Sequence, residues 1–239
     1  MPVALAAQLR EGTKKSHTMA ENTGFVSCFL KGVVDKASYR TLVADLFFVY
    51  SAMEEEIGKL RAAGHPVVGP VGFPELNRRE TLEQDLAFYF GDNWRTSVKA
   101  TPAAQEYVAR IHQIAQEEPE LLVGHHYTRY IGDLSGGQIL KNIAQKAMNL
   151  GEHDGLRFYE FEAIPDEKGF KTNYRATLDN LPIDQAMADR IVEEANQAFH
   201  CNMKMFQELE GNLIAAIGKV LFGFLTRRQR TGSTEVLAA

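Results

Sequence analysis

Apolar side chains recur along this chain at three- and four-residue steps. After Pro182 the series Ile191, Ala195, Phe199, Met203, Phe206, Leu213, Ile217, Val220 and Phe224 keeps that spacing, with one slip near Gly211. Leu42, Leu46, Val49, Tyr50, Met53 and Ile57 repeat it earlier. Such spacing gathers the apolar groups on one face of an α-helix. Sustained period-two alternation and Asn-Gly hairpin turns are absent, so no sheet is expected. The eight prolines stand at 2, 66, 70, 74, 102, 119, 165 and 182. Because an interior proline costs a helix about 3 kcal/mol, they allow long helices in the tracts 3–65, 120–164 and 183–239. Breaks are expected near 64–74, 102, 119 and 165. The predicted architecture is all-α.

There is no internal repeat, and the stretch from Gly64 to Pro74 is short enough to be a helix connection. One domain over 1–226 is expected, followed by a polar tail over 227–239 that starts with Arg227, Arg228 and Arg230. Of the 239 residues, 45% are hydrophobic and 24% charged, which is enough apolar matter for a core. The net charge of -5 gives no overall pull toward nucleic acid or anionic lipid. Cys28 and Cys201 have no Cys-x-x-Cys companions, which excludes a disulfide framework and a zinc ribbon and suits a reducing compartment. Cys28 reads as a core residue. The start, Met1 to Arg10, lacks a signal-peptide pattern. The apolar run from Leu213 to Leu225 contains Lys219 and is shorter than the roughly 20 residues that span a bilayer. A soluble, cytoplasmic protein without a membrane anchor is expected.

A di-iron carboxylate bundle needs Glu-x-x-His pairs, and none of the seven histidines has Glu three residues upstream. Covalent attachment through Cys-x-x-Cys-His is equally absent. A noncovalently bound group remains open. In a helical first segment Arg10, Lys14, His17 and Glu21 share one stripe, which is either a solvated face or part of a site. The segment from Leu121 to Leu150 reads as a buried helix yet holds Gly124, Gly132, Gly136 and Gly137. Each interior glycine costs about 1 kcal/mol relative to alanine, so a local reason is needed. Either another helix packs closely there, or the backbone bends and lies against a flat ligand with no Cβ in the way. The carboxylate of Asp133 inside Gly132-Asp133-Leu134-Ser135-Gly136-Gly137-Gln138 favours the ligand.

The string Lys14-x-x-His17-x-x-Ala20-Glu21-Asn22, with Tyr127-Thr128-Arg129-Tyr130 leading into the glycine motif, resembles the heme oxygenase family. Phe170-Lys171-x-x-Tyr174-Arg175 and Glu193-Glu194-Ala195-x-x-Ala198-Phe199 resemble it too, so the likeness runs from about residue 5 to 225. It implies a single multi-helix domain with heme between a proximal N-terminal helix and a glycine-kinked distal helix. His17 is then the iron ligand through a neutral imidazole nitrogen, with Glu21 holding the other nitrogen. Arg10, Lys14, Tyr127, Lys171 and Arg175 would meet the propionates. Gly132 and Gly136 would let the distal backbone approach the heme face and steer oxygen to the α-meso carbon. Asp133 would relay protons through water. Phe199, Asn202 and Phe206 would line the pocket, although by spacing alone Phe199 and Phe206 are core residues. His126, Arg129 and Asp133 could share a face and support the distal network. His125 and His126 do not fit the ligand position of the motif.

By the same resemblance heme b is both cofactor and substrate, and O2 is consumed to give biliverdin IXα, carbon monoxide and ferrous iron. The chain carries no flavin, nicotinamide or iron–sulfur fingerprint, so electrons must come from another protein. The polar ending implies the bacterial and plastid branch, in which ferredoxin is the donor and a biliverdin reductase acts downstream, for bilin pigment synthesis. Lys141 and Lys146 are candidate additions to a cationic docking face for an acidic ferredoxin. The competing reading is a non-catalytic heme-binding or heme-storage protein of the same fold, against which Asp133 argues.

Overall fold

The computed structural model describes the backbone of residues 3–228 and the side chains of residues 3–210. Among the described residues there is no strand. Three short helices open the chain: α1 (Leu5–Gly12), α2 (Lys14–Glu21) and α3 (Gly24–Leu30). The central helix α4 (Lys36–Ala62) follows, then α5 (Val68–Val71), α6 (Arg79–Phe90), α7 (Trp94–Ser97) and α8 (Pro102–Glu117). The second half holds α9 (Leu122–His126), α10 (Gly132–Met148), α11 (Glu167–Asp179) and the long α12 (Gln185–Arg228). The expected boundary between 226 and 227 falls at the end of α12, and the segment 229–239 of the expected tail lies outside the described residues.

Local chemistry accounts for the boundaries. Asp35 caps α4 by accepting from the Ser38 amide at 2.8 Å, and Asp166 caps α11 by accepting from the Gly169 amide at 2.9 Å. Thr101 caps α8, with Pro102 in its first turn, where a missing N–H has no partner to lose. Pro66, Pro74 and Pro119 fall in the short connections, as their spacing predicts, while Pro70 lies within the single turn of α5. In α4 the stripe Leu42, Leu46, Val49, Tyr50, Met53 and Ile57 is buried throughout. This helix packs on α6, α8 and α12 and forms the centre of the molecule. On α12, Ile191, Ala195 and Met203 are buried, while Phe199 and Phe206 are only half-buried. The two phenylalanines are therefore not simple core residues. Cys28, expected in the core, is half-buried; Cys201 is the buried cysteine.

The glycine-bearing segment is one helical run from Leu122 to Met148, with residues Tyr127–Ile131 in a π turn. A π turn widens the helix by one residue, a device common beside functional sites. The bend was expected at the glycines, but Gly132 itself has regular helical dihedrals, φ -61° and ψ -50°. The four glycines divide between the two expected roles, with Gly137 on the packing side, where a Cβ would lie 3.2 Å from Tyr159 Cδ1. A Cβ at Gly124 would lie 2.7 Å from the Ile191 carbonyl oxygen, so Gly124 serves close packing of α9 on α12. Cβ atoms at Gly132 and Gly136 would meet nothing within 4 Å. Both face a cavity.

Candidate active site

That cavity has a volume of about 570 Å3, within the range of small-molecule and cofactor sites. It is bounded by α2 and α3 from the N-terminal segment, α4, the π turn with α10, and α12. Arg10, Lys14, His17, Glu21, Tyr127, Gly132, Asp133, Gly136, Phe199, Asn202 and Phe206 all line it. Residues separated by nearly two hundred positions thus meet at one place. Lys171 and Arg175 do not line it. Lys171 is held instead by Glu167, one turn earlier in α11, at 3.3 Å. Arg175 is exposed; burial raises the pKa of the Tyr127 phenol, and the charges of Arg175 and Arg10 oppose the rise.

His17 projects from α2 with over half of its side chain exposed, and its Nδ1 lies 3.7 Å from Glu21 Oε1. Its ring meets that of Phe199 edge-on, with centroids 5.8 Å apart and planes at 71°. Arg10 and Lys14 both pair with Glu11 and are largely exposed at the mouth. Apolar walls come from Phe25, Phe29, Leu42, Leu46, Leu140 and Phe158.

Beside the open glycines stands a polar network. The Tyr50 hydroxyl from α4 donates to Asp133 Oδ2. Arg129 Nε donates to the Tyr50 oxygen at 3.1 Å, and Arg129 Nη1 donates to Asn202 Oδ1 at 2.9 Å. Arg129 Nη2 lies 3.6 Å from Asp133 Oδ1. Burial pushes the Asp133 carboxyl well above the usual carboxylate range, which favours a form able to give up a proton. Tyr50 had been legible only as a member of an apolar stripe. Its phenol could be assigned only once its partner was placed.

His126 does not join this network, contrary to the expected shared face with Arg129 and Asp133. The π turn intervenes and changes the phase of the helix. His126 Nδ1 bonds the Tyr174 hydroxyl at 2.7 Å, its ring stacks on Tyr174 at 12°, and burial lowers its pKa to about 3. His125 is also fully buried, with Nε2 2.8 Å from Glu194 Oε1 and Nδ1 3.2 Å from the Tyr107 hydroxyl. Burial raises the Glu194 pKa, but hydrogen bonds from His125 and Arg110 outweigh it and bring it to about 2. Lys141, expected on a docking face, is 14% exposed and paired with Glu160 at 2.7 Å.

The fold and cavity together define an all-helical protein built to clasp a flat, mainly apolar ligand with an anionic edge between a histidine-bearing helix and a glycine-bearing one. The profile of the heme oxygenase family matches residues 3–208. Heme oxygenase 1 of Synechocystis sp. is 65% identical over 237 residues, covering 99% of this chain and 97% of that protein. Heme oxygenase 1 of Nostoc sp. is 62% identical over 235 residues, covering 98% of each. The crystal structure of heme oxygenase-1 from Synechocystis in complex with heme superposes with a TM-score of 0.89 at 64% identity, over 93% of this chain and all of that one. The chain belongs to the heme oxygenase family, and it is an enzyme of that class. Among the described residues no helix is long and apolar enough to cross a membrane.

Proposed function

We propose that this heme oxygenase cleaves heme b at the α-meso carbon to biliverdin IXα, carbon monoxide and ferrous iron, using O2 and electrons from reduced ferredoxin. The observation that carries the reading is that His17, the open backbone of Gly132 and Gly136, and Asp133 share one cavity. Heme, when bound, supplies both the iron at which O2 is activated and the porphyrin carbon that is oxidised. The remaining roles belong to the chain.

His17 would hold the iron through Nε2, since Nδ1 faces Glu21 Oε1 at 3.7 Å, and shortening that contact to a hydrogen bond would fix the tautomer. Arg10, Lys14 and Tyr127 attract and orient the propionates at the mouth, with Arg175 adding positive charge near Tyr127. Lys171 takes part only if it leaves Glu167. Gly132 and Gly136 present bare backbone to the distal face; without Cβ atoms that backbone could lie close against the porphyrin, and its bulk would leave oxygen one direction of approach. Asp133 moves a proton from its carboxyl by way of water, and Tyr50 with Arg129 holds that carboxyl in place. Phe199 and Phe206 exclude water from the apolar side. A downstream biliverdin reductase and a bilin-pigment role extend the reading.

Heme, ferredoxin, its reductase and NADPH supplied to the enzyme should convert the Soret band into a biliverdin spectrum. A Soret band that persists would return the non-catalytic heme-binding reading. Turnover with a flavoprotein donor but not with ferredoxin would remove the ferredoxin assignment alone.

A further inference from the structure

We propose that Asn196, through Ser16, is a positioning residue for His17: a polar clasp that sets where α2 lies on α12. The proposal rests on His17 as the iron ligand. Helix α2 has eight residues and buries only Ala20. Isolated helices shorter than about 12–15 residues are marginal in water, and one alanine methyl provides little apolar anchorage. Glu21 lies on the same helix as His17, so it can orient the ring but cannot place the helix.

Asn196 supplies the missing connection. Its Nδ2 donates to the Gly12 carbonyl at 3.1 Å and to the Val192 carbonyl at 2.9 Å, and its Oδ1 accepts from the Ser16 hydroxyl at 2.6 Å. One amide therefore ties the end of α1 and the third residue of α2 to α12. It spans Thr13, where φ -100° and ψ -1° interrupt the helical path between them. Gly12 allows the approach, because a Cβ there would lie 2.4 Å from Val192 Cγ1. Three positions further along α12, Phe199 meets the His17 ring. Consecutive residues of α2, Ser16 and His17, are thus held by Asn196 and Phe199 on one face of α12.

The test uses the full chain with Ser16→Ala, Asn196→Ala, the double variant and Ser16→Thr. Hydrogen exchange of the amides of residues 14–21 is measured without heme; the rate of heme loss and the iron–histidine stretching band are measured with heme. Each alanine variant should speed exchange in 14–21 and shift or broaden the band; Ser16→Ala should accelerate heme loss about fivefold, as expected for one lost hydrogen bond, and Asn196→Ala, which loses three, by at least as much. The double variant should be no worse than the more severe single, and Ser16→Thr, which keeps the hydroxyl, should behave as the parent. Unchanged exchange in 14–21, or effects of the two alanine variants that multiply, would overturn the clasp. Should Asn196→Ala fail to fold, Ser16→Ala against Ser16→Thr decides the matter alone. His17→Ala separates the two readings: an iron–histidine band that survives it removes His17 as ligand, while exchange in the heme-free protein still judges the clasp.

Discussion

The phenol of Tyr50 on α4 donates to the carboxylate of Asp133 on α10, joining side chains 83 positions apart. The same oxygen accepts from Arg129, so one hydroxyl holds both the acid and the cation beside it. Tyr50→Phe should leave Arg129 Nε and Asp133 each short of a partner. Bilin formation should slow by about tenfold or more, with a stability loss of about 1–2 kcal/mol and heme still bound. Turnover kinetics and a denaturant midpoint measure the two effects separately.

Asp133→Ala removes the carboxyl that the proposed proton relay uses. Heme should bind with near-parental affinity, while biliverdin formation drops about a hundredfold or more, the usual contribution of a positioned acid. Biliverdin produced at the parental rate would show that protons reach the site by another route.

Removal of the iron ligand has a different signature. His17→Ala should alter the resting spectrum of the heme complex, and added imidazole should restore it by taking the vacated position. An unaltered spectrum would assign the iron to another side chain.

The glycines predict opposite results from the same substitution. Gly124→Ala should destabilise the protein by about 1–3 kcal/mol, because the new Cβ collides with the backbone of α12 at Ile191 and Ala195. Gly136→Ala meets open space and gains helix propensity, so the heme-free protein should become more stable by up to about 1 kcal/mol. Its turnover should fall or its bilin isomer ratio change, as read by chromatography of the product.

Acid should weaken the fold through Glu194. Its pKa in the folded protein, about 2, lies below the ordinary carboxylate value near 4.3, so the unfolded chain binds the proton more readily. The contribution, roughly 2–3 kcal/mol, is fully present above about pH 5 and is lost as the pH falls toward 2. Glu194→Gln should lower stability at pH 7 and flatten that acid limb, as followed by thermal unfolding across the pH range.

Much of the fold was legible because its cues are local. The stripe from Leu42 to Ile57 is fixed by helical geometry, and Pro102 at the start of α8 and Pro119 just past its end mark those boundaries by chemistry within their own residues. The π turn at Tyr127–Ile131 had no such cue, since nothing in Tyr-Thr-Arg-Tyr-Ile breaks a helix. It is chosen by surroundings, where Arg129 meets Tyr50 and Asn202, and His126 meets Tyr174. The expected His126–Asp133 face failed for that reason. Lys171, expected at the propionates, and Lys141, expected on a docking face, each pair with a glutamate, and only the folded chain reveals whether such a pair forms.

By itself the sequence determined an all-α chain, the breaks near its prolines, and the motifs around His17 and Gly132 that place it in its family; the breaks that separate α1, α2, α3 and α4 carry no proline and were not among them. Tertiary structure alone decided which glycine packs on α12 and which faces the cavity. It also decided that a tyrosine from an apolar stripe supports Asp133. The division has one physical cause. Helix formation depends on dihedral preferences and neighbours within four residues, whereas buried hydrogen bonds and close backbone approach depend on which distant surfaces meet.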